Sequence, residues 1–399
     1  MNISVRFADL LAIYRAELLD RTIPFWLNHA MDWERGGICT CIADTGEILN
    51  TDKYMWSQLR AIWTFSALYN QIEPRPEWLE AAQHIFEFAE RYGRDDQGRW
   101  VFAVDAQGNV LQGATSIYAD GFAIYGLTEF ARATGSQEAI DLALATYENV
   151  QQRLAQPGSY ETAPYPLPEG VKAHGVSMIF SLVFHELGLL LNDEAILAAG
   201  KHHAEEVMGA FLQPDQRLLY EYVHLDNSLI DSPQGRAIVP GHAIESMWFM
   251  IHIYQHWGDA DRIAQAITTI QWHMTYGWDE EFGGILLSRD ASTSSEGKEP
   301  WWPFADTKLW WPHTEALYAL LLAYEQSHEN WALDWFEKVH DYAFSHYPVA
   351  GYGEWTQKLD RQGRPLTETI ALPVKDPFHL PRALINVIQL LQRMAEESE

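Results

Sequence analysis

The chain has 399 residues, of which 47% are apolar and 21% charged, a composition that can bury a large core and excludes an intrinsically disordered protein. Its formal net charge of −28 at pH 7 repels the phosphates of nucleic acids and the anionic surface of membranes, so neither is an expected partner. No Ser/Pro/Gly-rich linker or abrupt change in charge interrupts the chain, and we therefore expect one domain over residues 1–399.

Apolar residues spaced three and four positions apart dominate the sequence from the N-terminal segment onward, a pattern typical of amphipathic helices. Examples near the two ends of the chain are Leu10, Leu11, Tyr14 and Leu18, and Trp335, Phe336, Val339, Tyr342 and Phe344. Helices are therefore expected to make up most of the fold.

Short segments rich in Asp, Gly and aromatic residues separate the helical stretches at intervals of about 62 residues, which is enough for two helices and their connections. The segments are residues 32–37, 95–100, 158–165, 215–222, 279–285 and 351–355. Six helical hairpins would fill the chain and can close into a ring with an inner and an outer layer. We predict an all-α fold, an (α/α)6 barrel of six helical hairpins, with a ligand cleft at one end. An open helical solenoid is the alternative.

Cys39 and Cys41 are the two cysteines of the chain. They lie two positions apart in an extended segment, so their side chains share a face and a structural disulfide is not expected. The N-terminus lacks a basic stretch followed by an apolar segment, and the longest apolar stretches, near Phe180 and Phe249, are interrupted by His or Glu. We expect a cytoplasmic protein.

Trp56 and Arg60 are the first candidate site residues, one helical turn apart and able to face the same cleft. A guanidinium there can stabilise negative charge that develops on a substrate oxygen; a surface arginine paired with a neighbouring acid is the alternative. Tryptophan is over-represented, with 17 copies, and Trp56, Trp310 and Trp311 lie close to polar residues. Such rings serve as core anchors or as flat surfaces for a ligand.

His242 and Glu245 lie three residues apart at the start of a helical stretch and share one face. A carboxylate beside an imidazole orients the ring and raises its basicity, which suits a histidine that transfers protons near neutral pH. An ion pair at a helix start is the alternative for these two residues.

Two later clusters also carry chemistry. Residues 306–315 combine aromatic, basic and acidic side chains, including Trp310, His313 and Glu315. In residues 375–382, prolines on both sides restrict the backbone of His379, which can fix its imidazole in a site; an ordinary loop before a helix is the alternative.

The rest of the sequence offers no further candidate site. The adjacent pair His202 and His203 is expected on the surface of a helix. Gly-rich phosphate loops, dinucleotide fingerprints and the G-x-S-x-G and HExxH motifs are absent from the sequence. Neither nucleotide chemistry nor a zinc hydrolase is therefore supported.

Together these motifs resemble the N-acylglucosamine 2-epimerase superfamily, which also contains cellobiose 2-epimerases and mannose isomerases, and the resemblance runs nearly end to end. The segments that carry it are 24–26 (Pro-Phe-Trp), 51–53 (Thr-Asp-Lys) with Trp56 and Arg60, 93–96 (Gly-Arg-Asp-Asp), 240–245 followed by 247–249 (Met-Trp-Phe), 308–313 with Glu315, 352–355 (Tyr-Gly-Glu-Trp), and 378–379 with 381–382.

The resemblance implies an (α/α)6 barrel whose site lies at one mouth, with His242 and His379 as the two acid/base groups. It also implies that Glu245 assists His242, that Arg60 holds sugar oxygens, and that the chain forms a homodimer. The pocket residues implied in the same way are Glu221, Trp310, His313 and Glu315, to which the aromatic clustering adds Trp56.

The chemistry of such a site follows from the substrate. The hydrogen on carbon-2 of a sugar is acidic only when the ring is open and carbon-1 is a carbonyl. One imidazole then removes the proton, Arg60 and other donors hold the enediolate oxygens, and a second imidazole returns a proton to the opposite face. This reaction requires no metal, nicotinamide or covalent intermediate.

The sequence departs from the N-acylglucosamine branch just before His379. That branch carries a Lys-Gly-Gly loop and a second Lys-Gly before its Cys-Phe-His, whereas residues 369–379 read Thr-Ile-Ala-Leu-Pro-Val-Lys-Asp-Pro-Phe-His. The change puts the nucleotide activation of that branch in doubt and looks more like the cellobiose epimerase and mannose isomerase branches. The H-x-x-E of those branches, however, is not evident around Ser177 and Met178.

The central motifs favour a 2-epimerase that interconverts N-acetylglucosamine and N-acetylmannosamine, or a related free monosaccharide or disaccharide. An aldose–ketose isomerase acting on mannose or a similar hexose is the nearest alternative. An inverting glycoside hydrolase, with Glu221, Glu245 or Glu315 as its carboxylates, is a further one. A non-catalytic binding protein that uses the barrel surface is the last alternative.

Overall fold

The computed structural model describes residues 3–156, 158–292, 301–367 and 372–396. Part of the divergent run before His379, residues 369–371, lies outside the described residues. The helices are α1 (Ile3–Ala16), α2 (Ile23–His29), α3 (Met55–Gln71), α4 (Pro76–Tyr92), α5 (Ile117–Thr134), α6 (Gln137–Leu154), α7 (His174–Leu191), α8 (Glu194–Glu206), α9 (Pro240–Trp257), α10 (Ala260–Gly277), α11 (Trp310–Ser327), α12 (Asn330–His346) and α13 (His379–Glu396). π-helical turns at Glu17–Thr22 and Val207–Phe211 join α1 to α2 and extend α8.

Six helices form a closed inner ring. In order around the ring these are α3, α5, α7, α9, α11 and α13, each in contact with the next, and α13 closes the ring against α3. The outer helices α4, α6, α8, α10 and α12 each pack on the inner helix that precedes them in the chain, whereas α1 packs on α13. The prediction of an (α/α)6 barrel is confirmed, with one refinement. Five hairpins are consecutive in sequence, and the sixth is assembled from the two ends of the chain.

The two layers differ in which faces are apolar. The outer helix α4 buries Trp78, Ile85 and Phe86, while Glu80 and Glu87 on its other side are exposed, which is the pattern of a helix with one covered face. The inner helix α7 is apolar nearly all round. By length and composition α7 is the one helix among the described residues that could cross a membrane, but 72% of it is buried inside the protein. Its place in the inner ring accounts for that composition.

Short antiparallel strands connect the helices. They are β1 (Cys41–Ile42), β2 (Ile48–Asn50), β3 (Lys53–Tyr54), β4 (Ala103–Val104), β5 (Val110–Gln112), β6 (Val171–Ala173), β7 (Leu212–Gln213), β8 (Leu218–Leu219), β9 (Tyr222–His224), β10 (Ala237–Ile238), β11 (Arg289–Asp290), β12 (Lys308–Leu309) and β13 (Lys358–Leu359). They pair as β1–β2, β3–β4–β5, β6–β9, β7–β8, β10–β11 and β12–β13. Strands β3, β6, β10 and β12 lead directly into α3, α7, α9 and α11, so the strands lie at the end of the barrel where those inner helices begin.

Two of the Asp/Gly segments fix these strands by the same interaction, an ion pair between an aspartate of the turn and a lysine of the strand. The carboxylate of Asp32 lies 2.9 Å from Lys53 Nζ, and that of Asp279 lies 3.2 Å from Lys308 Nζ, with both lysines fully buried. The turns need glycine for space as well as for conformation. Gly284 has φ +82°, and a Cβ atom there would lie 2.9 Å from Lys308 Cδ. These two segments are thus structural turns that hold the starts of α3 and α11.

Candidate active site

The cleft lies where the inner helices begin. Each inner helix contributes a residue from its first two turns, and the residue types are mostly aromatic or ionisable. Among the lining residues are Trp56, Arg60, Tyr118, Phe122, Met178, His242, Glu245, Trp302, Trp310, Trp311, Asp376 and His379. Six helix N-termini therefore converge on one cavity, and their partial positive charges favour an anion formed inside it.

His242 is the more exposed of two histidines in the cleft, with 29% of its side chain accessible. Its Nδ1 lies 3.1 Å from Glu221 Oε2, and its ring stacks on that of Trp311 at 4.9 Å between centroids. Burial lowers the pKa of His242, but the carboxylates of Glu221 and Glu245 outweigh it and raise the pKa above its ordinary value. Burial likewise opposes ionisation of Glu221, yet His242 and His174 hold the pKa of Glu221 at about 2. His242 is therefore set up to carry a proton.

The surroundings of His379 shift its pKa in the opposite direction. Its side chain is 11% accessible, and its Nδ1 lies 2.7 Å from Glu315 Oε1. Burial, together with the cations of Arg60 and Arg382, lowers the pKa of His379 to about 3. The ring is therefore neutral near pH 7, with Nδ1–H donating to Glu315 and Nε2 left to accept a proton. Two histidines whose environments push their pKa values apart suit an acid and a base.

A buried arginine joins the carboxylates behind His379. Arg382 Nη2 donates to Glu315 Oε1 at 2.8 Å and also to Glu245 Oε1. Trp248 Nε1 donates to the other oxygen of Glu315 at 2.9 Å. Glu245, Glu315 and His379 present ligand atoms close enough to hold a metal ion. The guanidinium of Arg382 already supplies the positive charge that this group needs, and the two carboxylates raise the pKa of Arg382.

Arg60 is held in a fixed orientation on the other side of the cleft. Its Nη1 lies 3.1 Å from Asp376 Oδ2, and its guanidinium carbon lies 3.9 Å from the ring centroid of Phe122 and 4.7 Å from that of Phe378. Burial lowers the pKa of Arg60, although Asp376 acts in the other direction. A guanidinium that contacts two aromatic rings and a carboxylate keeps its remaining N–H donors in one place.

The sequence profile described as N-acylglucosamine 2-epimerase (GlcNAc 2-epimerase) matches residues 36–383. The chain belongs to the N-acylglucosamine 2-epimerase family. The sequence prediction of that family is confirmed, and with it the prediction of an epimerase, which is an isomerase.

Relatives of this N-acylglucosamine 2-epimerase family member cover nearly the whole chain. The N-acylglucosamine 2-epimerase of Mus musculus is 30% identical over 401 residues, covering 96% of this chain and 92% of that protein. The cellobiose 2-epimerase of Dictyoglomus turgidum is 25% identical over 399 residues, covering 93% and 96%. The structure of cellobiose 2-epimerase from Spirochaeta thermophila superposes with a TM-score of 0.84 at 22% identity, covering 99% of each chain, and shows the same fold.

The structure changes the partner predicted for His242. Glu245 shares its helix but lies beside Arg382, and the carboxylate that contacts His242 Nδ1 is that of Glu221. The reason is geometric. Glu221 lies between β8 and β9, and its carbonyl accepts from the backbone N–H of His174 at 2.9 Å, which places its side chain against His242. Glu245 therefore does not hold the ring of His242 by a hydrogen bond, but it lines the cleft of this family member and helps to raise the pKa of His242.

Three predicted pocket residues do not reach the cleft. His313 is fully buried, with Nε2 accepting from the N–H of Ile285 at 2.8 Å and Nδ1 3.0 Å from Tyr347 Oη. Both its ring nitrogens are thus engaged within the core, Nε2 by the turn at 279–285 and Nδ1 by Leu309 O and Tyr347, which corrects the prediction that His313 binds substrate. Glu221 and Glu315 lie behind the two histidines, each in contact with a ring Nδ1. Trp56 and Trp310 line the cleft as predicted.

Sequence reasoning missed the roles of Arg382 and Asp376. Both stand in the cluster at 375–382, but the sequence alone did not pair them with Glu315 and Arg60. His379 and Arg382 lie three residues apart on one helix face, and this spacing indicates that Arg382 lies near the site. His203 was also misjudged. Its ring is buried against Phe180 and Phe184, because the outer helix α8 turns it inward.

Proposed function

We propose that the protein is a sugar 2-epimerase that interconverts N-acetylglucosamine and N-acetylmannosamine through proton transfer at carbon-2. The observation that carries the proposal is the pair formed by His242 and His379. Both line one cleft, each has a carboxylate on Nδ1, and their pKa values are displaced in opposite directions. That is the arrangement needed to remove a proton from one face of a carbon and return one to the other.

The active form holds one proton on the histidine pair. The sugar opens to its aldehyde, and Nε2 of neutral His379 takes the proton from carbon-2. The electron pair of the broken C–H bond moves onto the carbonyl oxygen, giving an enediolate. Protonated His242 then delivers its proton to the opposite face of carbon-2. The reverse reaction starts with the proton on His379, and the exchange balances without an oxidant, a metal or a covalent intermediate.

Negative charge on the enediolate is stabilised by groups that are already oriented. Arg60 offers N–H donors that its contact with Asp376 leaves free, and the convergent starts of the inner helices add their partial positive charges. Because these donors are fixed before the substrate binds, they need little reorganisation during the reaction.

An apolar recess beside His242 supports an N-acyl substrate. Tyr165, Val239, Leu287 and Trp302 line the cleft there, and Trp302 packs in a small cluster with Val239 that is in contact with Trp311. The indole N–H of Trp302 is buried and has no hydrogen-bond partner among the described residues. An acyl group on the nitrogen at carbon-2 supplies an acceptor for this N–H and an alkyl group for the apolar walls.

The test is incubation with each free sugar in deuterated water, followed by NMR. Deuterium should appear at carbon-2 of both epimers. His242→Asn and His379→Asn should each reduce the rate by a factor of about 10² to 10⁴, whereas His202→Asn, at an exposed position of the outer helix α8, should not. Formation of a ketose would assign an aldose–ketose isomerase instead. Release of sugar from a disaccharide that survives both histidine substitutions would assign a glycoside hydrolase.

The remaining expectations are part of the same proposal. We propose that the enzyme acts on a free sugar in the cytoplasm, as a homodimer, with no cofactor and without nucleotide activation. The charge of −28 supports the absence of nucleic-acid and membrane partners. Light scattering after gel filtration measures the mass, and assays with and without ATP measure the effect of the nucleotide.

A further inference from the structure

We infer that Asp376 is a specificity-determining residue, which pairs with Arg60 to select an uncharged, polyhydroxylated sugar and to exclude anionic ones. The inference rests on the proposed function, because it concerns the sugar bound in the same cleft. It does not depend on which epimer pair is turned over.

Asp376 is held rigidly at the edge of the cleft. It lines the cavity, and its side chain is 5% accessible. The backbone on each side is fixed, because the N–H of Lys375 donates to Thr40 O at 2.7 Å and the N–H of Phe378 donates to Asp376 O at 2.9 Å. The Lys375 ammonium is also anchored, 2.8 Å from Asp44 Oδ1. A buried carboxylate with this support has little freedom to leave the site.

The charge balance of the cleft follows from this position. Arg60 is paired with Asp376, and Arg382 is paired with both Glu245 and Glu315. Each guanidinium at the described part of the cleft is thus compensated by at least one carboxylate. Lys358 also lines the cleft, but a phosphate or carboxylate placed at Arg60 would meet the negative charge of Asp376 at short range, where burial limits screening by salt.

The same pair offers complementary hydrogen bonds to a neutral sugar. Oδ2 of Asp376 accepts a hydrogen bond from Arg60 Nη1 and lies 3.3 Å from Ser57 Oγ. None of the described residues donates a hydrogen bond to Oδ1. A sugar hydroxyl can donate to Oδ1 while a neighbouring oxygen of the sugar accepts from Arg60. Such a hydrogen bond to an ionised carboxylate is roughly twice as strong as one between neutral groups. Asp376 therefore favours the binding of sugar hydroxyls and disfavours the binding of anions.

The experiment uses Asp376→Asn, which keeps the shape and an acceptor oxygen but removes the charge. The matched control is Asp341→Asn, on an exposed position of the outer helix α12. For each enzyme kcat/KM is measured with N-acetylglucosamine, with its 6-phosphate, and with its 3-, 4- and 6-deoxy analogues.

Three results are expected. The wild type and Asp341→Asn should discriminate strongly against the 6-phosphate. Asp376→Asn should lower kcat/KM for the neutral sugar by roughly tenfold, the size expected for a charge-assisted hydrogen bond, and should raise the ratio of phosphate to neutral sugar by at least as much. For one deoxy analogue the effect of Asp376→Asn should nearly vanish, because the hydroxyl that donates to Asp376 is missing.

The inference would be overturned if Asp376→Asn left the ratio of kcat/KM for the 6-phosphate to kcat/KM for the neutral sugar unchanged and lowered kcat/KM equally for all the deoxy analogues. Asp376→Glu provides a second variant that retains the charge, and it should keep the discrimination against phosphate even if its activity falls. Should Asp376→Asn not fold, acceptance of the 6-phosphate by the wild type or by Asp376→Glu would still refute the inference. If the wild type does not turn over N-acetylglucosamine, the proposed function fails separately, and the same comparison is made with the neutral sugar that is turned over and its 6-phosphate.

Discussion

His242 and His379 pack against the same indole ring, that of Trp311, with centroid separations of 4.9 Å and 5.7 Å. Trp311 is the second residue of α11, which lies between the helices that carry the two histidines. It therefore sets the separation and tilt of both imidazoles relative to whatever binds in the cleft. A change that moves this ring should disturb proton transfer without touching either histidine.

Gly241→Ala is predicted to produce such a change. A Cβ atom at this position would lie 2.7 Å from Trp311 Cζ3 and 2.9 Å from Pro312 Cβ, so the indole must shift. We expect kcat to fall on the order of 10²-fold, the loss typical of a misplacement of about 1 Å, with a smaller change in KM. Gly113→Ala is the control, because no atom lies within 4 Å of the added Cβ. Equal kcat values for the two variants would contradict this role for Trp311.

Glu221→Gln is predicted to change the pH profile of the reaction. In the proposed mechanism the active form holds a single proton on the histidine pair, so activity falls on the alkaline side when His242 loses its proton. Glu221 raises the pKa of His242, and its removal should move the alkaline limb of kcat/KM to lower pH. The limb should move identically for both directions of the reaction, since the equilibrium constant does not depend on pH. Glu205→Gln, 54% accessible on α8, should leave the profile unchanged.

Arg382→Met is predicted to destabilise the fold as well as the site. It leaves Glu245 and Glu315 buried with no cation between them, and breaking a buried ion pair in this way costs about 3–5 kcal/mol. The free energy of unfolding, measured with urea, should fall by this amount and recover in part when Glu245→Gln is added. Arg393→Met, whose partner Glu325 is near the surface, should cost about 1 kcal/mol or less. Similar losses for the two arginines would argue against the buried network.

Buried histidines outside the cleft predict a loss of stability in mild acid. Burial lowers the pKa of His185, His203, His252 and His273 to about 4, below the value of about 6.5 in an unfolded chain. The unfolded state therefore binds these protons first, and the free energy of unfolding should fall as pH drops from about 6.5 to about 4. Denaturant unfolding across this range measures the slope. His203→Phe, between Phe180 and Phe184, should reduce the slope by about one proton; an unchanged slope would contradict the assignment.

The sequence predicted the barrel because its signal is local. Helical periodicity and turns recurring at a fixed interval identify hairpins without any knowledge of distant contacts. The pairing of α1 with α13 could not be predicted in this way, because these helices lie at opposite ends of the chain. The same limit explains the site. His242 and His379 were found from their neighbours in sequence, whereas the contacts of Glu221 with His242 and of Asp376 with Arg60 join residues from different hairpins.

Closure of the ring by the chain ends has a consequence for biosynthesis. His379 opens α13, which must dock between α11 and α3 and against α1 before the second imidazole faces the cleft. During translation this helix emerges from the ribosome after the other five inner helices. A nascent chain that has folded every earlier hairpin still holds only one of the two histidines that we propose as proton-transfer groups. The appearance of enzyme activity during refolding should therefore report the slowest, longest-range step of folding rather than the formation of helices.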